Sequence, residues 1–314
     1  MKRKAIVVSI KGLVLTNKER KLLSKENPWG LILFKRNIKS IKQIKSLINS
    51  IKLSVNDINF PILIDEEGSA VSRLRNIANH NVSAQYFGNL YLINKNLSIQ
   101  MYKEYLNSLC NILKKIGINI NTIPVIDILR NNTNKVIGNR SFSSKKKIVK
   151  HFGQITVNQC HLNKVISVIK HIPGHGCTSS DSHYKMPKVK LSYRDLKNKD
   201  FFPFKNSSAK LAMTAHILYQ KIDPINPATF SKIIIKNIIR NKIGFKGILM
   251  SDDISMKALK YDLVTNAKKS LDAGCNLVLY CAGNINDNFK LIKSVPFIDN
   301  FTYKKTSEIY KILR

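Results

Sequence analysis

The chain has 314 residues, 44% of them hydrophobic and 23% charged. This excludes a mainly disordered state and allows a core of barrel size. A formal net charge of +34 raises nucleic acid and anionic membrane as partners, but the excess is mostly Lys spread along the whole chain beside abundant Asn and Ile, the pattern of AT-rich drift, without clustered Arg forks or aromatic platforms.

Residues 5–10 predict a first strand. Thr16 with Glu19 three residues on is a capping box that opens a helix. Residues 30–34 predict a second strand, and the spacing of Ile41, Ile44, Leu47 and Ile48 a helix. A third strand over 61–64 ends at Asp65-Glu66-Glu67-Gly68. A long helix follows over about 97–116, then strand-like runs 118–123 and 125–128 around Pro124. A helix over about 144–162 leads to a strand at 165–170 and a long polar loop at 171–198. Next come a strand at 211–214, a helix at 231–241, and strands at 247–250 and 276–280 with a helix near 256–273 between them. A helix at about 306–313 closes the chain.

Strands with little polar alternation, each separated by a helix, indicate a parallel sheet covered on both faces. About eight such units match a (β/α)8 TIM-type barrel, here as a single domain over 1–314. A doubly wound open sheet is the competing architecture. No G-x-G-x-x-G or Walker sequence is present to support nucleotide binding.

Cys110, Cys160, Cys177, Cys275 and Cys281 are odd in number and include no CxxC. A reducing compartment fits better than a disulfide framework. Lys11 interrupts the first apolar run, which reads as a strand and not a signal peptide. No apolar stretch approaches the roughly 20 residues of a membrane span. A cytoplasmic chain with no membrane partner and no specific nucleic-acid partner is expected. Non-specific, salt-sensitive adhesion to nucleic acid remains a physical expectation.

In this fold chemistry sits where strands end. Asp65 and Glu67 follow the third predicted strand, Lys170 and His171 the strand at 165–170, His216 that at 211–214, and Asp252 and Asp253 that at 247–250. Neighbouring strand residues point to opposite faces, so one of Asp252 and Asp253 reaches a cavity. The reaching carboxylate is either a nucleophile or the N-cap of a helix beginning near Ser255. In an extended Asp181-Ser182-His183 segment, the carboxylate would share a side with the imidazole, fix its tautomer and leave the other nitrogen as an acid/base. The alternative is a surface turn with a solvated His. Arg140 and Arg73 read either as fixed forks for a polar ligand or as surface residues. His171, His175, Cys177 and His183 match no zinc spacing, so no metal is expected. Gly174 and Gly176 mark a tight loop in which His175 is structural.

Two segments carry a resemblance to a known family. One is Lys170-His171-Ile172-Pro173-Gly174-His175-Gly176 with Asp181-Ser182-His183. The other is Ile238-Ile239-Arg240-Asn241-Lys242, four residues, then Gly247-Ile248-Leu249-Met250-Ser251-Asp252. With Gly30-Leu31-Ile32-Leu33-Phe34-Lys35-Arg36-Asn37, Thr214-Ala215-His216 and Ala273-Gly274-Cys275, the chain resembles glycoside hydrolase family 3, in its branch of cytoplasmic bacterial β-N-acetylhexosaminidases of peptidoglycan recycling. The resemblance implies a retaining exo-β-N-acetylglucosaminidase acting on small carbohydrates, N-acetylglucosaminyl-1,6-anhydro-N-acetylmuramyl peptides, as a monomer and without metal or organic cofactor. It implies Asp252 as nucleophile, His183 as acid/base and Asp181 as its partner. Asp65, Arg73, Arg140, Lys170 and His171 would bind N-acetylglucosamine. Phosphorolysis in place of hydrolysis is left open by a histidine acid/base. The chain departs from the family pattern D-Q-E-G-G-R-V-Q-R at Asp65-Glu66-Glu67-Gly68-Ser69-Ala70-Val71-Ser72-Arg73. Asn139 also stands where an acidic residue is usual, and Ile172 where Phe is common.

Overall fold

A computed structural model describes residues 2–131, 133–178, 181–182 and 184–314. Eight parallel strands close into a barrel: β1 Lys4–Val8, β2 Pro28–Leu33, β3 Ile62–Ile64, β4 Ile120–Asn121, β5 Ile166–Ile172, β6 Leu211–Thr214, β7 Ile248–Asp253 and β8 Leu277–Leu279. Each strand pairs with its sequence neighbours, and β8 returns to β1 through Ile6↔Val278 and Val7↔Leu279. The expected (β/α)8 barrel is therefore the fold, and the open sheet is excluded by this closure.

The pleat sorts the strand residues into two cores. Val7, Leu63, Val168, Met213 and Met250 fill the barrel interior, while Ile6, Ile62, Ile169, Ala212 and Leu249 face the surrounding helices. Both faces are apolar, which is why the strands read as nearly unbroken hydrophobic runs. The N-terminal end of the barrel is closed by the helix Asn300–Leu313, whose Ile309 joins the interior cluster. There the Nε1–H of buried Trp29 donates to Thr306 Oγ1 at 2.8 Å. Among the described residues no helix is long and apolar enough to cross a membrane.

Several boundaries differ from expectation. The Thr16–Glu19 capping box is formed and opens the helix Asn17–Glu26. The helix expected near 256 begins only at Leu263, because Asp262 caps it by accepting from the amides of Val264 and Thr265. The runs around Pro124 contribute only Ile120–Asn121 to the barrel, followed by a single bridge from Val125 to Lys170. The polar stretch after β5 contains the short strand Lys188–Val189 and the helix Tyr193–Asn198. Two further helices, Ala84–Ile93 and Ile285–Ser294, were not anticipated.

Candidate active site

The period-two pleat that packs the interior also delivers the site. Continuing inward two residues beyond Leu63, Val168 and Met250 come Asp65, Lys170 and Asp252. All three line one cavity at the C-terminal mouth of the barrel. His171 follows Lys170 directly yet lines the same cavity. The β5–β6 register shifts between Lys170 and Ile172, so the strict alternation of sides is not kept there. Arg73 and Arg140 also line the cavity, so the five residues expected to bind the sugar stand together there.

Asp65 accepts from Thr122 Oγ1, from Lys170 Nζ at 3.4 Å and from Arg73 Nη2 at 3.3 Å. Burial opposes its charge, but Lys170, Arg73 and the Thr122 hydroxyl outweigh it and hold the carboxyl well below the usual range. Glu67, also at the cavity, accepts from Arg140 Nε at 2.6 Å and Nη2 at 2.9 Å and lies 2.5 Å from Lys170 Nζ. Burial again pushes upward, and the Arg140 and Lys170 cations bring its pKa down to about 2. Arg140 also donates to Val136 O at 2.8 Å. Glu67 thus orients Arg140 where Asn139 cannot. Glu66 does no cavity work: its Oε2 accepts the amides of Arg73 at 2.7 Å and Leu74 at 2.9 Å, and its Oε1 lies 2.7 Å from His80 Nε2.

The two adjacent aspartates part ways. Asp253 accepts from Ser255 N at 3.1 Å, Ser255 Oγ at 2.7 Å and Cys281 N at 3.2 Å, a turn that keeps it off the cavity. Burial raises its pKa. Asp252 lines the cavity and forms no ion pair among the described residues; its one short hydrogen bond there is from Asp253 N at 2.8 Å. Burial works against its charge, but nearby His171 and His216 outweigh it and lower the pKa. The helix-cap alternative fails for both residues, since Asp262 is the cap.

The Asp181–His183 pair stands differently. His183 lies outside the described residues. Asp181 does not line the cavity, and its carbonyl accepts from Tyr184 N and Lys185 N, both at 3.2 Å. Ser182 between them does line the cavity and lies 3.4 Å from His175 Nε2. His175 behaves as expected of a loop residue. Its Nδ1 meets Thr178 Oγ1 at 3.0 Å, and burial and His171 push its pKa down to about 4. A Cβ at Gly176 would sit 1.8 Å from Ile128 O, so no other residue fits beside it.

Three residues to which the sequence analysis gave no role help to build the site. Glu67 and Thr122 hold the cations in place. Asp127, with no solvent exposure, accepts from His171 Nδ1 at 2.7 Å and from His175 N at 2.6 Å. Its signal in the sequence was the same as that of Asp65, a carboxylate closing an apolar run. His216, placed after β6, bonds Thr229 Oγ1 at 2.7 Å and, through Nε2, the carbonyl of Asp253 at 3.0 Å, fixing the strand end beneath Asp252. Among the described residues no three His, Cys, Asp or Glu side chains are grouped to hold a metal ion.

A parallel barrel whose strand C-termini converge on a polar, carboxylate-bearing cavity defines a TIM-barrel enzyme with its chemistry at the usual end. The chain belongs to glycosyl hydrolase family 3: the family's N-terminal domain matches residues 5–301. It is therefore a glycoside hydrolase. It is 33% identical over 281 residues to the Beta-hexosaminidase of Nitrosomonas eutropha, covering 88% of this chain and 80% of that one. To the Beta-hexosaminidase of Haemophilus influenzae it is 33% identical over 305 residues, covering 93% and 85%. Among solved structures, NagZ from Neisseria gonorrhoeae in complex with N-trifluoroacetyl-D-glucosamine superposes with a TM-score of 0.88 at 28% identity, covering 100% of this chain and 91% of that one. A family 3 β-N-acetylglucosaminidase from Paenibacillus superposes with a TM-score of 0.86 at 25% identity; this chain spans 60% of that protein's length.

Proposed function

We propose that this chain is a retaining exo-β-N-acetylglucosaminidase that removes N-acetylglucosamine from 1,6-anhydro-N-acetylmuramyl peptides in cytoplasmic peptidoglycan recycling. The observation that carries the reading is Asp252: among the described residues, the cavity carboxylates Asp65 and Glu67 are each paired with cations, whereas Asp252 forms no ion pair. A lowered pKa keeps it ionised at neutral pH and ready to attack. Lining cations Arg73, Arg140 and Lys170 balance the three carboxylates one for one, which suits a neutral polyhydroxylated ring.

In this reading Asp252 attacks the anomeric carbon as the glycosidic C–O bond breaks, and protonated His183 gives its proton to the leaving oxygen. Water, deprotonated by the now neutral His183, then attacks the same carbon and releases the sugar with Asp252 restored. Asp181 orients His183, on the loop whose Ser182 lines the cavity. Asp65, Arg73, Arg140, Lys170 and His171 hold the sugar hydroxyls and N-acetyl group. The relatives named for hexosaminidase activity, and the solved relative holding an N-acylated glucosamine, support the choice of sugar.

The test is turnover of an aryl N-acetyl-β-glucosaminide by the wild type and by Asp252→Gly. A loss of about 10³-fold or more in kcat is expected; undiminished turnover refutes the assignment. Product analysis on muropeptide fragments identifies the aglycone. Sugar 1-phosphate appearing on addition of phosphate would replace hydrolysis by phosphorolysis.

A further inference from the structure

Behind the cavity wall, His171 forms a carboxylate–imidazole pair with Asp127, whose carboxylate never reaches the surface. Asp127 follows β4, where Ile126 N donates to Lys170 O at 2.9 Å and Lys170 N to Pro124 O at 3.1 Å, so it rides on the β5 strand end. Its Oδ2 accepts from His171 Nδ1 at 2.7 Å and from His171 N at 3.2 Å, and its Oδ1 from His175 N at 2.6 Å. Ser141 Oγ donates to the Asp127 carbonyl at 2.7 Å, anchoring the backbone from the other side. Nothing in the proposed hydrolysis uses Asp127 directly. A buried carboxylate with this many donors is an expensive device for holding a loop alone.

Its geometry dictates the state of one ring. Carboxylate accepts only, so the ring nitrogen facing it carries the hydrogen. The remaining nitrogen, Nε2, makes no hydrogen bond among the described residues, and His171 lines the cavity. We infer that Asp127 is a positioning residue for substrate binding: it locks His171 with Nδ1–H inward, so that Nε2 is the nitrogen offered to the sugar. The same logic orients metal-bound histidines through an outer carboxylate; here the ligand in the metal's place is a sugar hydroxyl. This inference rests on the glycosidase reading for its kinetic consequence but not for its structural one.

The experiment pairs a spectrum with a double-mutant cycle. In Asp127→Asn the amide keeps its oxygen for His175 N and turns its NH₂ to His171 Nδ1, which must then accept. Long-range ¹H–¹⁵N spectra of histidine-labelled enzyme at about pH 8 are expected to show His171, identified by His171→Gln, protonated at Nδ1 in the wild type and at Nε2 in D127N. D127N is expected to lose roughly 10- to 100-fold in kcat/KM, chiefly through KM. Combined with H171Q, it should cost no more than about 3-fold beyond the worse single variant. Losses that multiply, wild-type kinetics for D127N, or an unmoved tautomer would each overturn the inference. Should D127N melt below assay temperature, Asp127→Glu, which keeps the charge but displaces it, replaces it in the cycle. A wild type that hydrolyses no N-acetylglucosaminide would sink the proposed function, while the tautomer spectrum would still decide the positioning role.

Discussion

Asp252 and Asp253 show how far one residue's direction governs its chemistry. They share a strand end, yet the pleat aims one at the cavity and leaves the other to hold Ser255 and the Cys281 amide. Asp253→Asn should therefore lower stability by about 1–3 kcal/mol, the cost of weakening several partly buried hydrogen bonds, as read by urea unfolding. Asp252→Asn should abolish turnover. A reversed pattern would exchange the two roles. The sequence displayed this pair plainly but not its phase, because that depends on which face of β7 looks inward, and both faces are apolar. Asp127 was harder still. Its partners are the ring and amide groups of residues 44 and 48 positions away, a proximity that exists only once β4 and β5 are paired.

At the level of elements, the strand-end loops are riveted by charge. Glu67 from the loop after β3 grips Arg140 from beyond β4 and Lys170 from β5. Its folded pKa of about 2 lies below the ordinary glutamate value of about 4.3. The contribution is therefore complete above the unfolded value and is lost as pH falls through the folded one. Chemical unfolding followed from pH 6 downward should show stability declining between roughly pH 4.5 and 2, and Glu67→Gln should flatten that slope. At neutral pH the same variant should cost on the order of 1–3 kcal/mol, since it removes the carboxylate that both Arg140 and Lys170 bond. No slope change in E67Q would mean that other carboxylates govern the acid limb.

The barrel strands and most helices were legible from apolar runs and the Thr16–Glu19 box, because those signals are local. The helix Ala84–Ile93 was not. Gly88 breaks its pattern, and the reason lies across the fold: a Cβ there would sit 1.7 Å from the carbonyl of Phe142. Close approach of a loop demanded the residue that weakens the helical signal.

For the molecule as a whole, the +34 charge is a property of the outside. Of 53 Lys and Arg, only Arg3 and Lys170 are buried. Inside the cavity, cations and carboxylates balance, so the surface excess says little about the ligand. The compositional reading of that charge and the neutral-sugar reading of the site are compatible for this reason.

Trp29 is the chain's single tryptophan, and it sits at the barrel floor, far along the strands from the cavity mouth. The protein therefore carries a built-in optical reporter of one place only. Saturation with N-acetylglucosamine should leave the emission maximum where it is, whereas Thr306→Val, which removes the indole's acceptor, should shift it. Intrinsic fluorescence would then time the docking of the last helix in refolding and stay blind to catalysis; a ligand-induced shift would reveal that the two ends of the barrel communicate.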